Sequence, residues 1–185
     1  MINRRLVLGT LSATVIAGGL AACTTTEEQR LTREEAARAS LNDLYRTVPA
    51  ARTLGEESAA VLVFPSIVRA GLMIGGQFGD GVMFENDVAT GFYRVTGGSF
   101  GLQAGAQNFA QAYFFTTPEA LQTFRDTAGW EVGAGVNVAV ASVGATGQIN
   151  TSTLQAPVVV FVYGQAGLMA GIQVEGQRIS RLREG

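Results

Sequence analysis

The sequence predicts an α+β domain, a curved or barrel-like antiparallel β-sheet with two covering helices. Three observations lead there. A G-L-x-x-G-x-Q segment occurs three times, at residues 71–77, 101–107 and 167–173. Many short apolar runs are separated by brief turn-like links, which favours antiparallel pairing. Only two stretches carry the 3.6-residue period of an amphipathic helix.

In the repeats, strand alternation puts each Leu and the residues two and four further on along one apolar core face. The two glycines, a Met or Gln, and the closing Gln share the other face. Glycine weakens a strand unless a backbone must approach closely or the sheet must bend. Glycine rows used three times therefore predict tight curvature or a layer packed against them. The alternative is a ligand groove.

The elements follow in order. Residues 24–29 are short and polar, a tether. Thr32-Arg33-Glu34-Glu35 has capping-box spacing. Behind it Ala37, Leu41, Leu44, Tyr45 and Val48 share one helical face, until Pro49 and Gly55 break or kink the run. Residues 59–64 read as a buried strand closed by Pro65, and residues 71–84 as strand with a Gly79-Asp80-Gly81 turn signal. Residues 91–96 and 99–107 look like a strand pair joined at Gly97-Gly98, followed by an apolar run at 110–115. Thr116-Thr117-Pro118-Glu119 opens the second helix, with Leu121, Phe124 and Ala128 inward and Gly129 as its stop. Trp130 then plugs a core edge.

Residues 133–146 read as a strand pair turned near 142–147. Pro157 introduces residues 158–163, a central strand buried on both faces. The third repeat ends in Glu175-Gly176, a turn into residues 177–182. Val61-Leu62-Val63-Phe64 and Val158-Val159-Val160-Phe161 are near copies, which predicts related places in the sheet.

Several of these segments resemble the SYLF domain. They are Val63-Phe64-Pro65-Ser66-Ile67-Val68-Arg69-Ala70-Gly71, the stretch from Gly98 through Gln107, Gly129-Trp130-Glu131, and Gly164-Gln165-Ala166-Gly167-Leu168-Met169-Ala170-Gly171. The resemblance runs in order from about Leu41 to Leu182. It implies a lipid-binding, membrane-associated module, with phosphoinositide and actin binding in eukaryotic members and an envelope lipoprotein in bacterial ones. It also implies lipid contact by the helical segment ahead of the core.

The N-terminus has the form of an export signal. Arg4 and Arg5 precede an apolar run over residues 6–20, too short for the roughly 20 residues of a spanning helix. Leu20-Ala21-Ala22-Cys23 closes the run with a lipoprotein-processing pattern, so Cys23 is expected to be acylated and to become the new N-terminus. Asn3-Arg4-Arg5-Leu6-Val7-Leu8 also approaches a twin-arginine export pattern. Cys23 is the only cysteine, which leaves no disulfide, and lipidation gives it a purpose. Thr24, rather than Asp, follows it and points to the outer membrane. The chain thus divides into a signal peptide at 1–22, a tether at 23–31 and a SYLF-like domain at 32–185.

Composition excludes several functions. Of 13 basic residues, all Arg, removing Arg4 and Arg5 leaves 11 against 15 acids, a net charge of −4. An acidic chain is a poor nucleic-acid binder, and it lacks the polybasic run that holds proteins to anionic bilayers. With no His and no second Cys, His-assisted nucleophiles, Cys–His pairs and the usual zinc sites are ruled out. Carboxylate-pair hydrolysis remains on paper through Asp80, Glu85, Asp87, Asp126, Glu131 and Glu175. Most sit beside Gly or Asn, as turn residues do. The expectation is a non-enzyme with no cofactor and no metal.

Membrane lipids are the expected partners. Arg69 stands where the SYLF pattern usually has Lys, and Arg suits bidentate phosphate contact. It is the first candidate for an anionic headgroup, unless it pairs with Glu56 or Glu57. Arg46 on the first helix and Arg94 ahead of Gly97-Gly98 are weaker candidates. The alternative function is an envelope scaffold that binds a protein partner or itself.

Overall fold

The computed structural model describes residues 18–132, 137–142, 155–167 and 176–182. The chain divides into two compact units, residues 1–31 and residues 32–185. Helix α1 spans Gly18–Thr47 and α2 spans Pro49–Glu57. The expected start at Thr32 is absent, and residues 24–29 are helical. No Gly or Pro interrupts residues 20–48, so nothing stops the helix from running through. Pro49 takes the first turn of α2, where its missing N–H costs nothing.

Two long strands follow, β1 at Ala60–Glu85 and β2 at Val88–Phe115, paired antiparallel along their length. The turn between them is Asn86-Asp87, both at positive φ (48° and 63°), residue types that tolerate that region. The expected breaks at Pro65, Gly79-Asp80-Gly81 and Gly97-Gly98 therefore lie inside strands. Pro65 falls in a register shift between Phe64 and Ile67, a bulge that absorbs its missing donor.

The glycines serve a different purpose. A Cβ on Gly79 would lie 2.5 Å from the Ser66 carbonyl oxygen, and one on Gly81 would lie 2.5 Å from Phe64 Cδ1. Phe64 and Gly81 belong to one strand, and a flat strand would hold them roughly 55 Å apart. β1 curls back on its own first half. The curvature predicted from glycine content is present, and the residues that permit this contact are Gly79 and Gly81.

Helix α3, Pro118–Asp126, begins as predicted, with the Thr117 side chain accepting from the Ala120 N–H. Leu121 and Phe124 are buried but Ala128 is exposed, because the helix ends before it. Three short strands and one longer one complete the described sheet: β3 Trp130–Glu131, β4 Val138–Ser142, β5 Val158–Gly167 and β6 Gln177–Arg181. The second edge of β2 pairs with β6 near its start and β5 near its end. β4 runs parallel to β5, so the described sheet is mixed rather than wholly antiparallel. The strand pair expected over 133–146 is described only at 137–142, and its turn beyond Ser142 lies outside the described residues, as does the third repeat beyond Gly167.

The twin apolar flanks pair with β2 on its two edges, one residue out of step with each other. Leu62 and Val160 both pair with Tyr113, and Val63 and Phe161 both pair with Ala112. β5 is buried on both faces from Val158 to Tyr163, as its sequence predicts. One face packs Ala37, Leu44, Ala51 and Leu54 of α1 and α2 on Val63, Phe114 and Phe161. The other packs α3 and Trp130 on Phe64, Tyr113 and Phe115. Trp130 fills a core edge, its ring against those of Tyr113, Phe115 and Phe124. The architecture is α+β with a curved sheet, and with three helices rather than two among the described residues.

Candidate functional site

Strand alternation sends a row of polar side chains into the face covered by α3. Arg69, Gln77, Gln107, Gln111 and Gln177 are all buried, and all share the parity of the core residues Ile67, Met83, Phe109, Tyr113 and Ile179. The closing glutamines of the first two repeats thus point inward rather than along an open glycine face. The register lines them up: Arg69 stands opposite Gln107, and Gln107 opposite Gly167, so the three repeats adjoin across the sheet. Arg69 Nε donates to Gln77 Oε1 at 3.0 Å, and its guanidinium lies 5.7 Å from the centre of the Phe109 ring. Gln77 lies across Gly97, where a Cβ would come within 2.8 Å of its Nε2. Burial lowers the Arg69 pKa from its ordinary value, because a desolvated guanidinium is less favourably charged.

Further along the row, the Tyr113 hydroxyl sits 2.9 Å from Gln111 Oε1 and 2.7 Å from Gln177 Oε1. One hydroxyl proton serves one acceptor, so one of these amides turns its NH2 toward the hydroxyl oxygen. Burial pushes the Tyr113 phenol well above its ordinary pKa, and it stays a neutral donor. Among the described residues, Gln107 Oε1, Gln111 Nε2 and the Trp130 indole N–H are buried without a partner. Unsatisfied buried polar atoms cost about 1–3 kcal/mol each unless something polar reaches them. Sequence reasoning missed Gln111, Tyr113 and Gln177. The signal was present, since Gln111 is a polar residue at an inward position of the apolar run 110–115.

The other candidates lie elsewhere. Arg94 faces away from Tyr93 and Val95 and makes a two-pronged pair with Asp80, at 2.6 and 3.0 Å. Asp80 also holds Arg33 of α1 at 3.4 Å. Arg46 pairs with Asp43 one turn earlier on α1. Glu56 lines a cleft on the side of the sheet covered by α1 and α2, opposite the face that holds Arg69. The three candidate arginines therefore do not form one site. Cys23 lies within α1. No helix among the described residues is long and apolar enough to cross a membrane.

Residues 96–184 match the family model of Ysc84, the Las17-binding protein actin regulator, whose domain is SYLF. Those residues belong to this family. SYLF proteins bind lipid and actin-related partners in general. No match to an individual curated protein accompanies it. The SYLF match begins inside β2, two residues past Arg94. It takes in Gln107, Gln111, Tyr113 and Gln177, while Arg69 enters the same row from β1, ahead of the matched span.

Proposed function

We propose that this protein is a lipid-anchored envelope protein whose SYLF domain binds anionic phospholipid headgroups and catalyses no reaction. The anchor is the acylated Cys23, placed by the Leu20-Ala21-Ala22-Cys23 pattern at the end of an apolar leader. Two or more acyl chains make such an anchor stable, at about 0.8 kcal/mol per buried methylene. The destination is the outer membrane, facing the periplasm.

The observation that supports headgroup binding is the buried row of Arg69 and inward amides, with Gln107 Oε1 and Gln111 Nε2 short of partners. An arginine suits a phosphate, and glutamine amides suit the hydroxyls of a polyol headgroup. A second reading, a scaffold that binds a protein partner or itself, draws on β1. That strand leaves Phe78 60% and Val68 39% exposed.

The test is binding of the Cys23→Ala protein to phosphatidylglycerol vesicles at low and high salt. Arg69→Ala and Arg69→Glu are compared with the parent, and melting temperature controls for folding. Headgroup binding predicts weaker association for Arg69→Ala, a further loss for Arg69→Glu, and salt sensitivity in the parent. Equal, salt-independent binding by all three, with unchanged stability, would refute the role of Arg69.

A further inference from the structure

A cleft lies on the other side of the sheet, between the α1–α2 corner and the tip of the β1–β2 hairpin. Its volume is about 570 Å³, and Tyr45, Arg52, Gly55, Glu56, Phe84 and Asp87 are among its lining residues. That size falls within the range of small-molecule sites, roughly 300–1,000 Å³.

Local structure keeps the cleft open. Gly55 sits inside α2, where glycine is a poor helix former. A Cβ there would overlap the Tyr45 hydroxyl, so glycine is what allows the phenol its place. The Tyr45 hydroxyl has no hydrogen-bond partner among the described residues. Its pKa is pushed up to about 12, by burial first and then by Asp87, with Arg52 opposing and Glu56 adding, so it remains a donor. Across the cleft, the Asn86-Asp87 turn holds Asp87 at the lip in a left-handed conformation. Arg38 pins that turn by donating to the Asp87 carbonyl oxygen at 2.6 Å.

The charges are mixed and unspent. The Arg52 guanidinium lies 5.2 Å from the centre of the Tyr45 ring. Among the described residues no ion pair joins it to Glu56 or Asp87, although all three line the cleft. Opposite charges that share a cleft without neutralising each other are complementary to a ligand that carries both. A simple anion would meet two carboxylates, and a simple cation would meet a guanidinium.

We infer that this cleft binds a zwitterionic amine–phosphate group, with the phosphate on Arg52 and the Tyr45 hydroxyl and the ammonium between Glu56 and Asp87. The apolar floor at Phe84, Leu41 and Val61 receives the attached carbon chain. This site is separate from the Arg69 row and does not depend on it.

The test is calorimetric titration of the full-length protein in detergent with sn-glycero-3-phosphoethanolamine, with inorganic phosphate and ethanolamine as half-ligands. Saturable binding of the whole ester, at least tenfold tighter than either half, is expected. Arg52→Gln should weaken the whole ester and phosphate, while Asp87→Asn should weaken the whole ester and ethanolamine. Both residues are exposed, so unchanged melting is the folding control. Gly55→Leu, which fills the cleft, should abolish binding if it folds. Phosphatidylethanolamine against phosphatidylcholine vesicles then separates a lipid source from a free ester. Arg52-dependent retention on the former alone assigns a lipid, and binding of the soluble ester only assigns a free ligand. Phosphate binding as tightly as the whole ester, or Arg52→Gln binding like the parent, would overturn the inference. Neither result would touch the Arg69 proposal, which is read on phosphatidylglycerol.

Discussion

The ring of Phe64 stands in the space that a side chain on Gly81 would fill, with Cδ1 2.5 Å from the missing Cβ. Both residues are on β1, so this contact is where the strand closes on itself. Gly81→Val should therefore destabilise the domain by about 3 kcal/mol through overpacking of a filled site. Gly98→Ala is the matched control on β2, since a Cβ there meets nothing within 4 Å. Urea unfolding of both variants checks the pair, and a Gly81→Val midpoint equal to that of Gly98→Ala would contradict the closure.

Tyr113 ties Gln111 to Gln177 inside the core. Tyr113→Phe removes the shared hydroxyl and with it the Gln111 and Gln177 contacts. The expected cost is about 1–3 kcal/mol, with no change in the apolar packing of the ring. Because Gln177 reaches the hydroxyl from β6, Gln177→Leu should recover part of the loss in the Tyr113→Phe background. A double-mutant cycle on thermal stability measures that coupling.

Acid sensitivity should localise in part to Glu85. Burial by itself would raise its pKa, but hydrogen bonds from Thr90 and Arg125 and the Arg125 charge outweigh it, and the net shift is downward. A lowered folded pKa contributes stability above the ordinary glutamate value of about 4.3, and that contribution is lost as pH falls through the lowered value. Glu85→Gln should therefore be less stable than the parent at neutral pH, and the gap should shrink in acid. Denaturation midpoints at the two pH extremes decide it; a gap that stays constant would remove Glu85 from the acid response.

Cys23→Ala should abolish acylation and leave the protein soluble or unprocessed in cell fractions. Metabolic labelling with a fatty-acid analogue reads the modification directly. A processed Cys23→Ala chain that still pellets with membranes would count against the anchor.

The sequence alone determined the elements whose signal is local. The Ala37, Leu41 and Leu44 face needs only the helical period, the start of α3 needs only Thr117 and Pro118, and Val158 to Tyr163 is apolar at every position. It also pointed to related places for the two Val-rich flanks, which both pair with β2, but the one-residue offset that turns Phe64 and Phe161 to opposite faces was decided by the sheet. Tertiary structure decided where strands do not end. Gly79, Gly81, Gly97 and Pro65 read locally as breaks, yet Gly79 and Gly81 make room for the strand's own first half and Gly97 for the Gln77 side chain. A local pattern cannot tell a glycine that turns the chain from one that admits a distant neighbour. The fate of Arg69 and Arg94 was decided in the same way. Both are arginines on strands, but register and bulges turn one inward against Gln77 and the other outward onto Asp80. Parity across a bulge is set by pairing with β2, and that pairing exists only once the sheet has closed.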